Sequence, residues 1–95
     1  MDPLDALGNP IRREILLALR QGPLSVGQLA EQFPVSRPAI SRHLKVLKES
    51  RLVQVTEEGG RSVCRVDLRG LESLRSFLDG FWGEALSRLE ELSRR

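Results

Sequence analysis

The stretch that most constrains the fold of this chain runs from Val35 to Val53 and combines a helix-start signal with two opposed faces. Ser36 is a good N-cap, and Pro38 lies in the first turn, where its missing N–H costs little because that donor has no partner inside the helix. Apolar residues recur on one side at spacings of four and three, at Ile40, Leu44 and Leu47. The pattern predicts one helix over this stretch, with a narrow apolar face that packs in a core.

The opposite face of this predicted helix is polar and mainly basic. It presents Arg37, Ser41, Arg42, Lys45 and Lys48. A solvated helix face usually mixes charges of both signs to gain pairs four residues apart, whereas the acid in this stretch, Glu49, lies near its C-terminal end. Two interpretations are open from this stretch alone: a solvated face, or a surface that contacts a nucleic acid.

The distribution of charge along the chain favours nucleic-acid contact. The net charge of all 95 residues is +2, but between residues 34 and 69 eight Lys and Arg stand against four acids, which leaves +4 there and −2 in the remainder. A phosphate backbone attracts such a concentration of positive charge. With 40% hydrophobic and 29% charged residues, the sequence otherwise predicts one small globular domain over residues 1–95.

Composition and the N-terminus together predict a cytoplasmic protein that is not an enzyme. The apolar runs are only a few residues long, and the first residues include acids in place of the basic flank of a secretory signal, so we expect no membrane partner. A single cysteine cannot form an intramolecular disulfide, which is typical of a reducing compartment. One His and no Tyr leave few catalytic groups, and we predict no catalytic residue, cofactor or metal.

Helix-start signals divide the N-terminal third into three short helices. Asp2-Pro3 and Asn9-Pro10 are cap-then-proline patterns that begin the first two. Ser25 and Gln28 form a capping-box pattern at the start of the third. Only about three residues connect this third helix to the basic one, as a helix-turn-helix unit over about residues 25–50 requires.

In a helix-turn-helix unit the second helix enters the DNA major groove by its N-terminal half. The candidate DNA-contacting residues of this helix are Ser36, Arg37, Pro38, Ser41, Arg42, His43, Lys45 and Lys48. His43 lies at the edge of the apolar stripe, so two roles are open for it: a packed helix residue or a DNA ligand.

Two alternating segments on either side of Gly59-Gly60 predict a hairpin, the wing, over about residues 53–67. Arg61 at its tip is suited to a phosphate or the minor groove, and the alternative is a solvated loop arginine. Cys64 alternates with Val66 on one strand face, as a small buried hydrophobe does, whereas a redox sensor would need a low pKa and a partner.

From about residue 68 to residue 94, apolar residues recur at alternating spacings of three and four, which is typical of a helix that pairs with another. For so short a chain we expect a homodimer, and the alternative is packing on its own subunit. Trp82 lies within this row of Leu and Phe, so we interpret it as a residue of the dimer core. The alternative is that it stacks on a ligand or a base. The candidate interface residues, from both ends of the chain, are Leu4, Leu7, Leu74, Leu78, Phe81, Trp82, Ala85 and Leu89.

The chain resembles the ArsR family of winged helix-turn-helix repressors in two strings, L-D-A-L-G-N-P-I-R-R-E-I-L and V-S-R-P-A-I-S-R-H-L-K-V-L, and in Gly60-Arg61. The resemblance covers nearly the whole chain. It implies a mainly α fold with a small β-hairpin, in the order α-α-α-α-β-β-α, and a homodimer built from the first and last helices that represses transcription from a palindromic operator. Ser25 and Gly27 stand where well-known metal-sensing members carry two cysteines, so the resemblance is to the non-metal-sensing branch, which includes small autorepressors.

The sequence therefore predicts a sequence-specific repressor that binds double-stranded DNA with an inverted repeat. Two alternatives remain open at this point. One is a winged-helix module that binds protein and has no DNA function. The other is a repressor that responds to oxidation of Cys64.

Overall fold

A computed structural model of the protein describes residues 1–94. The elements, in chain order, are α1 (Pro3–Ala6), α2 (Pro10–Leu19), β1 (Leu24–Ser25), α3 (Val26–Gln32), α4 (Arg37–Glu49), β2 (Val53–Glu58), β3 (Arg61–Val66) and α5 (Leu68–Ser93). The predicted fold class, mainly α with a small antiparallel sheet, is confirmed. None of the helices in this part of the chain is long and apolar enough to cross a membrane.

Side-chain caps begin the helices at the predicted positions. At α3, the Ser25 hydroxyl accepts from the Gln28 N–H at 3.1 Å, and the Ser25 N–H donates to Gln28 Oε1 at 2.8 Å. Each bond satisfies a donor that the first turn of a helix leaves free. The N-caps of the other three helices predicted before the wing are Asp2, Asn9 and Ser36.

The predicted two-stranded wing was incomplete, because β1 adds a third strand. The sheet order is β1-β3-β2 and all pairs are antiparallel, with Leu24 opposite Cys64 and Ser25 opposite Val63. A strand of two residues has no periodicity that sequence inspection could detect. It forms because β3 offers a free edge to the segment just before α3.

The predicted helix from Val35 to Val53 was too long at its C-terminal end. The helix α4 ends at Glu49, Ser50 is its C-cap, and Arg51 has a φ of 61°. A residue in this left-handed region terminates the helix and turns the chain into β2. Val53, which is 1% exposed, is the first residue of β2.

The core lies where α2, α3 and α4 meet the inner face of the sheet. The apolar stripe of α4 supplies three of its members, which are at most 4% exposed. The fully buried large side chains are Ile15, Leu29, Ile40, Leu47, Leu52, Val53 and Cys64.

The first turns of α5 are anchored to the turn between α4 and β2. The Asp67 carboxylate caps α5 by accepting from the Arg69 N–H at 3.0 Å, and the Gly70 N–H donates to the Arg51 carbonyl oxygen at 2.8 Å. Gly70 permits this approach, because a Cβ there would lie 2.7 Å from the Arg51 carbonyl carbon and closer still to its oxygen. After Leu74, every described residue of α5 is exposed, so the rest of the helix projects from the body.

Candidate nucleic-acid interface

The helix α4 presents its charged residues on the side opposite the core. We call this side the basic face, which consists of Arg37, Ser41, Arg42, Lys45 and Lys48, all of them exposed. None of its four cations forms a salt bridge with a carboxylate within residues 1–94. Uncompensated cations on one helix face favour binding of a polyanion, since they gain charge partners only on binding.

The start of α4 is accessible as well as the basic face. Ser36 and Pro38 are both exposed, and the Ser36 hydroxyl accepts from the Ala39 N–H at 3.3 Å. The helices α3 and α4 pack against each other across the short connection from Phe33 to Ser36. The structure therefore places the N-terminal half of α4 on the surface, as the helix-turn-helix prediction requires.

The wing and the basic face border the same clefts. One cleft of about 390 Å³ lies between Lys45 and Lys48 of α4 and Ser62 of β3. A second, of about 340 Å³, lies between Arg37 and the wing tip at Arg61, and Ser62 lines it too. A ligand that covers the basic face would consequently touch the wing.

The wing tip does not hold its arginine free in solvent. Arg61 is exposed, but its Nη2 donates to the Ser25 hydroxyl at 3.1 Å, which connects the tip to the N-cap of α3. Gly59 and Gly60, with φ of 58° and 77°, form the tight turn that was predicted. Arg61 is therefore exposed to solvent and at the same time hydrogen-bonded to the protein body.

A second arginine of the wing is neutralised by a carboxylate. Arg65 Nη1 lies 2.6 Å from Glu58 Oε2. Hydrogen bonds from Arg65 and from the Thr56 hydroxyl lower the pKa of Glu58 to about 2. On the wing this leaves Arg61 as the cation not engaged by a carboxylate among the described residues.

His43 makes a contact that sequence inspection did not anticipate. The ring is half-buried, and its Nδ1 lies 3.5 Å from Arg12 Nη1 of α2. The Nε of Arg12 donates to the carbonyl oxygen of Ala6, so this guanidinium joins α1 to α4. Partial burial, followed by the charges of Arg12 and Arg42, lowers the pKa of His43. The residues are 31 positions apart, and no local pattern marks the pair.

Cys64 lies in the core, opposite Leu24 and Val55 in the sheet, and is 0% exposed. Burial raises the pKa of its thiol, which disfavours the thiolate that oxidants attack. Among residues 1–94, no three His, Cys, Asp or Glu side chains are grouped so that they could hold a metal ion. Ser25 and Gly27, at the start of α3, belong to the capping turn that begins that helix.

The structure divides the eight candidate interface residues into two groups. Leu74 is 8% exposed and packs in the core of its own chain, and Leu7 is partly buried against that core. The other six are exposed in the single chain: Leu4, Leu78, Phe81, Trp82, Ala85 and Leu89.

The sequence of this chain is similar to those of bacterial transcriptional regulators. The model of the arsR family of bacterial regulatory proteins matches residues 9–55. The HTH-type transcriptional regulator Rv2034 of Mycobacterium tuberculosis is 51% identical over 87 residues, which cover 92% of this chain and 81% of that protein. The transcriptional repressor SdpR of Bacillus subtilis is 39% identical over 54 residues, which cover 57% of this chain and 60% of the repressor.

Solved structures agree with the sequence comparison. A possible transcriptional regulator for arsenical resistance superposes with a TM-score of 0.81 at 42% identity, over 94% of this chain and 93% of that one. An ArsR-like regulator from Rhodococcus sp. RHA1 gives a TM-score of 0.76 at 31% identity, over 96% and 86% of the two chains. The chain belongs to the ArsR family, and it is a DNA-binding transcriptional repressor with a winged helix-turn-helix fold.

Proposed function

We propose that this repressor binds an inverted-repeat operator in double-stranded DNA as a homodimer, with α4 of each copy in a major groove. The observation that carries the proposal is the basic face, whose four cations are exposed and unpaired among the described residues. Two recognition helices related by a two-fold axis would lie about 34 Å apart, so the half-sites would be about one helical turn apart.

The position of each basic residue suggests its role. Arg37 and Arg42, with Ser41 between them, lie in the N-terminal half of α4 and would contact base edges as well as phosphates. Lys45 and Lys48 lie further along, beside the cleft to the wing, and would contact phosphates.

Three further residues complete the proposed contact surface. Ser36 and Pro38, exposed at the start of α4, would lie against the DNA backbone. Arg61 would reach a neighbouring phosphate by exchanging its bond to the Ser25 hydroxyl for a charged partner. His43 is half-buried and its Nδ1 lies 3.5 Å from Arg12 Nη1 of α2, so it would contact DNA only at the margin of this surface.

The exposed apolar residues of α5 support the homodimer. Phe81, Trp82 and Leu89 are 61%, 63% and 62% exposed in the single chain, and such a patch of large apolar side chains marks a protein interface. Repression by occupancy of an operator needs no catalysis, so we propose that the protein acts by binding alone, without a cofactor, in the cytoplasm where its DNA lies.

Two alanine variants test the proposed interface. Arg42→Ala should weaken binding to the operator more than binding to random DNA, because an arginine that contacts a base discriminates between sequences. Lys48→Ala should weaken both and reduce the slope of log K against log salt by about one unit for each phosphate that is no longer neutralised. Binding is measured by fluorescence anisotropy on an operator recovered by random-site selection, over a series of salt concentrations.

The control is Arg94→Ala, which removes an exposed arginine at the far end of α5 and should change neither affinity. Equal losses on operator and random DNA for Arg42→Ala would refute its role in base recognition. Failure of random-site selection to recover any motif would favour a protein-binding module. The burial of Cys64 disfavours the redox alternative. That alternative would be supported if oxidants released the wild-type repressor from its operator and did not release the Cys64→Ser variant.

A further inference from the structure

Two adjacent arginines of α2 bind the end of α1. Arg13 Nη1 donates to the carbonyl oxygen of Leu7 at 2.7 Å, and Arg12 Nε donates to the carbonyl oxygen of Ala6 at 2.5 Å. The last carbonyl groups of a helix have no partner inside it, and a helix of four residues is not stable without tertiary contacts. The two guanidinium groups therefore stabilise α1 in its place against α2.

Of these two arginines, Arg12 is the one that also contacts α4. Its Nη1 lies 3.5 Å from Nδ1 of His43, whereas no hydrogen bond joins Arg13 to α4 within residues 1–94. An arginine side chain can only donate, so Nδ1 of His43 can only accept, which requires a neutral ring with its proton on Nε2. Arg12 thus contacts both α1 and α4, and its contact with α4 depends on the charge of His43.

His43 has cations beside it and no carboxylate partner in the described part of the chain. Arg12 faces it from α2, and Arg42 precedes it in α4. The elements packed against α4 carry five acids, none of which forms a salt bridge with His43: Asp5, Glu14, Glu31, Glu57 and Glu58. Partial burial, followed by the charges of the two arginines, lowers the pKa of His43. A proton on this ring would therefore add a positive charge that repels Arg12 and that no nearby carboxylate balances.

The contact lies next to a residue proposed to read the operator. His43 directly follows Arg42, which would contact base edges. Hydrogen bonds to base edges discriminate between sequences and depend on how the helix lies in the groove, whereas phosphate contacts carry no sequence information directly. A shift of α4 at His43 should consequently weaken binding to the operator more than binding to random DNA.

We propose that Arg12 is a positioning residue for operator recognition, which orients α4 through neutral His43 and loses this contact when His43 is protonated. The proposal rests on the proposed recognition of an operator by α4, and it adds a residue of α2 that lies outside the basic face. The ratio of operator affinity to random-DNA affinity should then depend on pH. The contact is present while His43 is neutral and is lost as the pH falls below about 6.5.

Arg12→Gln and Arg13→Gln form a matched pair of variants. Each removes a cation of α2 and a hydrogen bond to a carbonyl oxygen of α1, but only Arg12→Gln removes the contact with His43. At about pH 7.5, Arg12→Gln should lower the affinity ratio at least about fivefold, and Arg13→Gln should leave it within about twofold of wild type. Fluorescence anisotropy at one salt concentration measures both affinities, on an operator recovered by random-site selection and on random DNA. Urea denaturation verifies that both variants are folded.

The pH profile separates positioning from a general loss of stability. In wild type the affinity ratio should fall between about pH 7 and pH 5, as His43 gains its proton. In His43→Gln the ratio should be constant over this range, because the amide oxygen accepts a hydrogen bond and does not titrate. In Arg12→Gln it should be low and constant. A proton on His43 also strengthens binding to every sequence through its charge, and this effect cancels in the ratio.

Each alternative result contradicts a stated part of the proposal. A wild-type ratio that is the same at about pH 7 and pH 5 overturns the dependence on the charge of His43. Equal losses on operator and random DNA for Arg12→Gln would make Arg12 a phosphate ligand and overturn its positioning role, as would a ratio equal to that of Arg13→Gln. In these cases the operator is still bound specifically, so the proposed function stands. A wild-type protein that binds operator and random DNA equally overturns both proposals.

Discussion

Gly70→Ala should destabilise the protein even though alanine is the better helix former. The new Cβ would lie 2.9 Å from the Ser50 carbonyl oxygen and 2.7 Å from the Arg51 carbonyl carbon, and both are backbone atoms that cannot rotate away. Overpacking of this kind costs about 1–3 kcal/mol, and displacement of α5 would also weaken the Gly70 N–H to Arg51 bond, which contributes about 1 kcal/mol. The gain in helix propensity is about 1 kcal/mol.

The expected net loss is therefore about 2 kcal/mol of unfolding free energy, measured by urea denaturation at one fixed protein concentration. With a urea slope of about 1–3 kcal/mol per molar, the midpoint should fall by roughly 1 M. The matched control is Gly80→Ala on the same helix, where nothing lies within 4 Å of the added Cβ. Its free energy of unfolding should rise by about 1 kcal/mol, because alanine has the higher helix propensity. A Gly70→Ala protein as stable as Gly80→Ala would refute the close approach of α5 to the α4–β2 turn.

Four other measurements test single interactions. Arg51→Gly should raise the unfolding free energy by about 1 kcal/mol, because glycine adopts the left-handed φ without a Cβ penalty. Asp67→Ala should lower it by about 1 kcal/mol through loss of the α5 N-cap. The pKa of His43 is lowered in the folded state, so its neutral form stabilises the protein above its ordinary pKa, and that stability is lost as the pH falls below about 6.5. His43→Gln should therefore lose less stability than wild type between pH 7 and pH 5. In Arg65→Met, NMR titration should show the pKa of Glu58 rising from about 2 towards its ordinary value.

Sequence inspection succeeded where a structural feature depends on neighbours in the chain. Ser36 and the Ser25–Gln28 box mark helix starts because the bonds they make lie within three residues. The apolar spacing of α4 likewise identified the side of that helix that packs in the core. The clefts between the basic face and the wing could not be foreseen, since they depend on how two separate elements pack.

One failure is local, the end of α4, where Arg51 has a φ of 61°. The others concern contacts between distant parts of the chain. The strand β1 exists because β3, nearly forty residues later, offers its edge. Arg12 and His43 meet only after α2 and α4 have packed. Gly70 has no sequence pattern that distinguishes it from other helical glycines, and its role depends on the carbonyl oxygen of Arg51, which lies beside it. Arg61 lies at an exposed tip as expected, but its bond to the Ser25 hydroxyl was not foreseen, because the two residues are 36 positions apart.

These distant contacts bear on how the repressor releases its operator. Just beyond the C-terminal end of the recognition helix, Arg51 accepts a backbone bond from Gly70 of α5, and at His43 the helix is in contact with Arg12 of α2. If α1 and α5 form the dimer as proposed, these contacts connect each recognition helix to the dimer interface. For a repressor that binds its operator as a dimer, operator affinity should fall steeply on dilution below the dimer dissociation constant, which titration of labelled operator at a series of protein concentrations measures. An affinity that does not depend on protein concentration in this range would contradict the proposed homodimer.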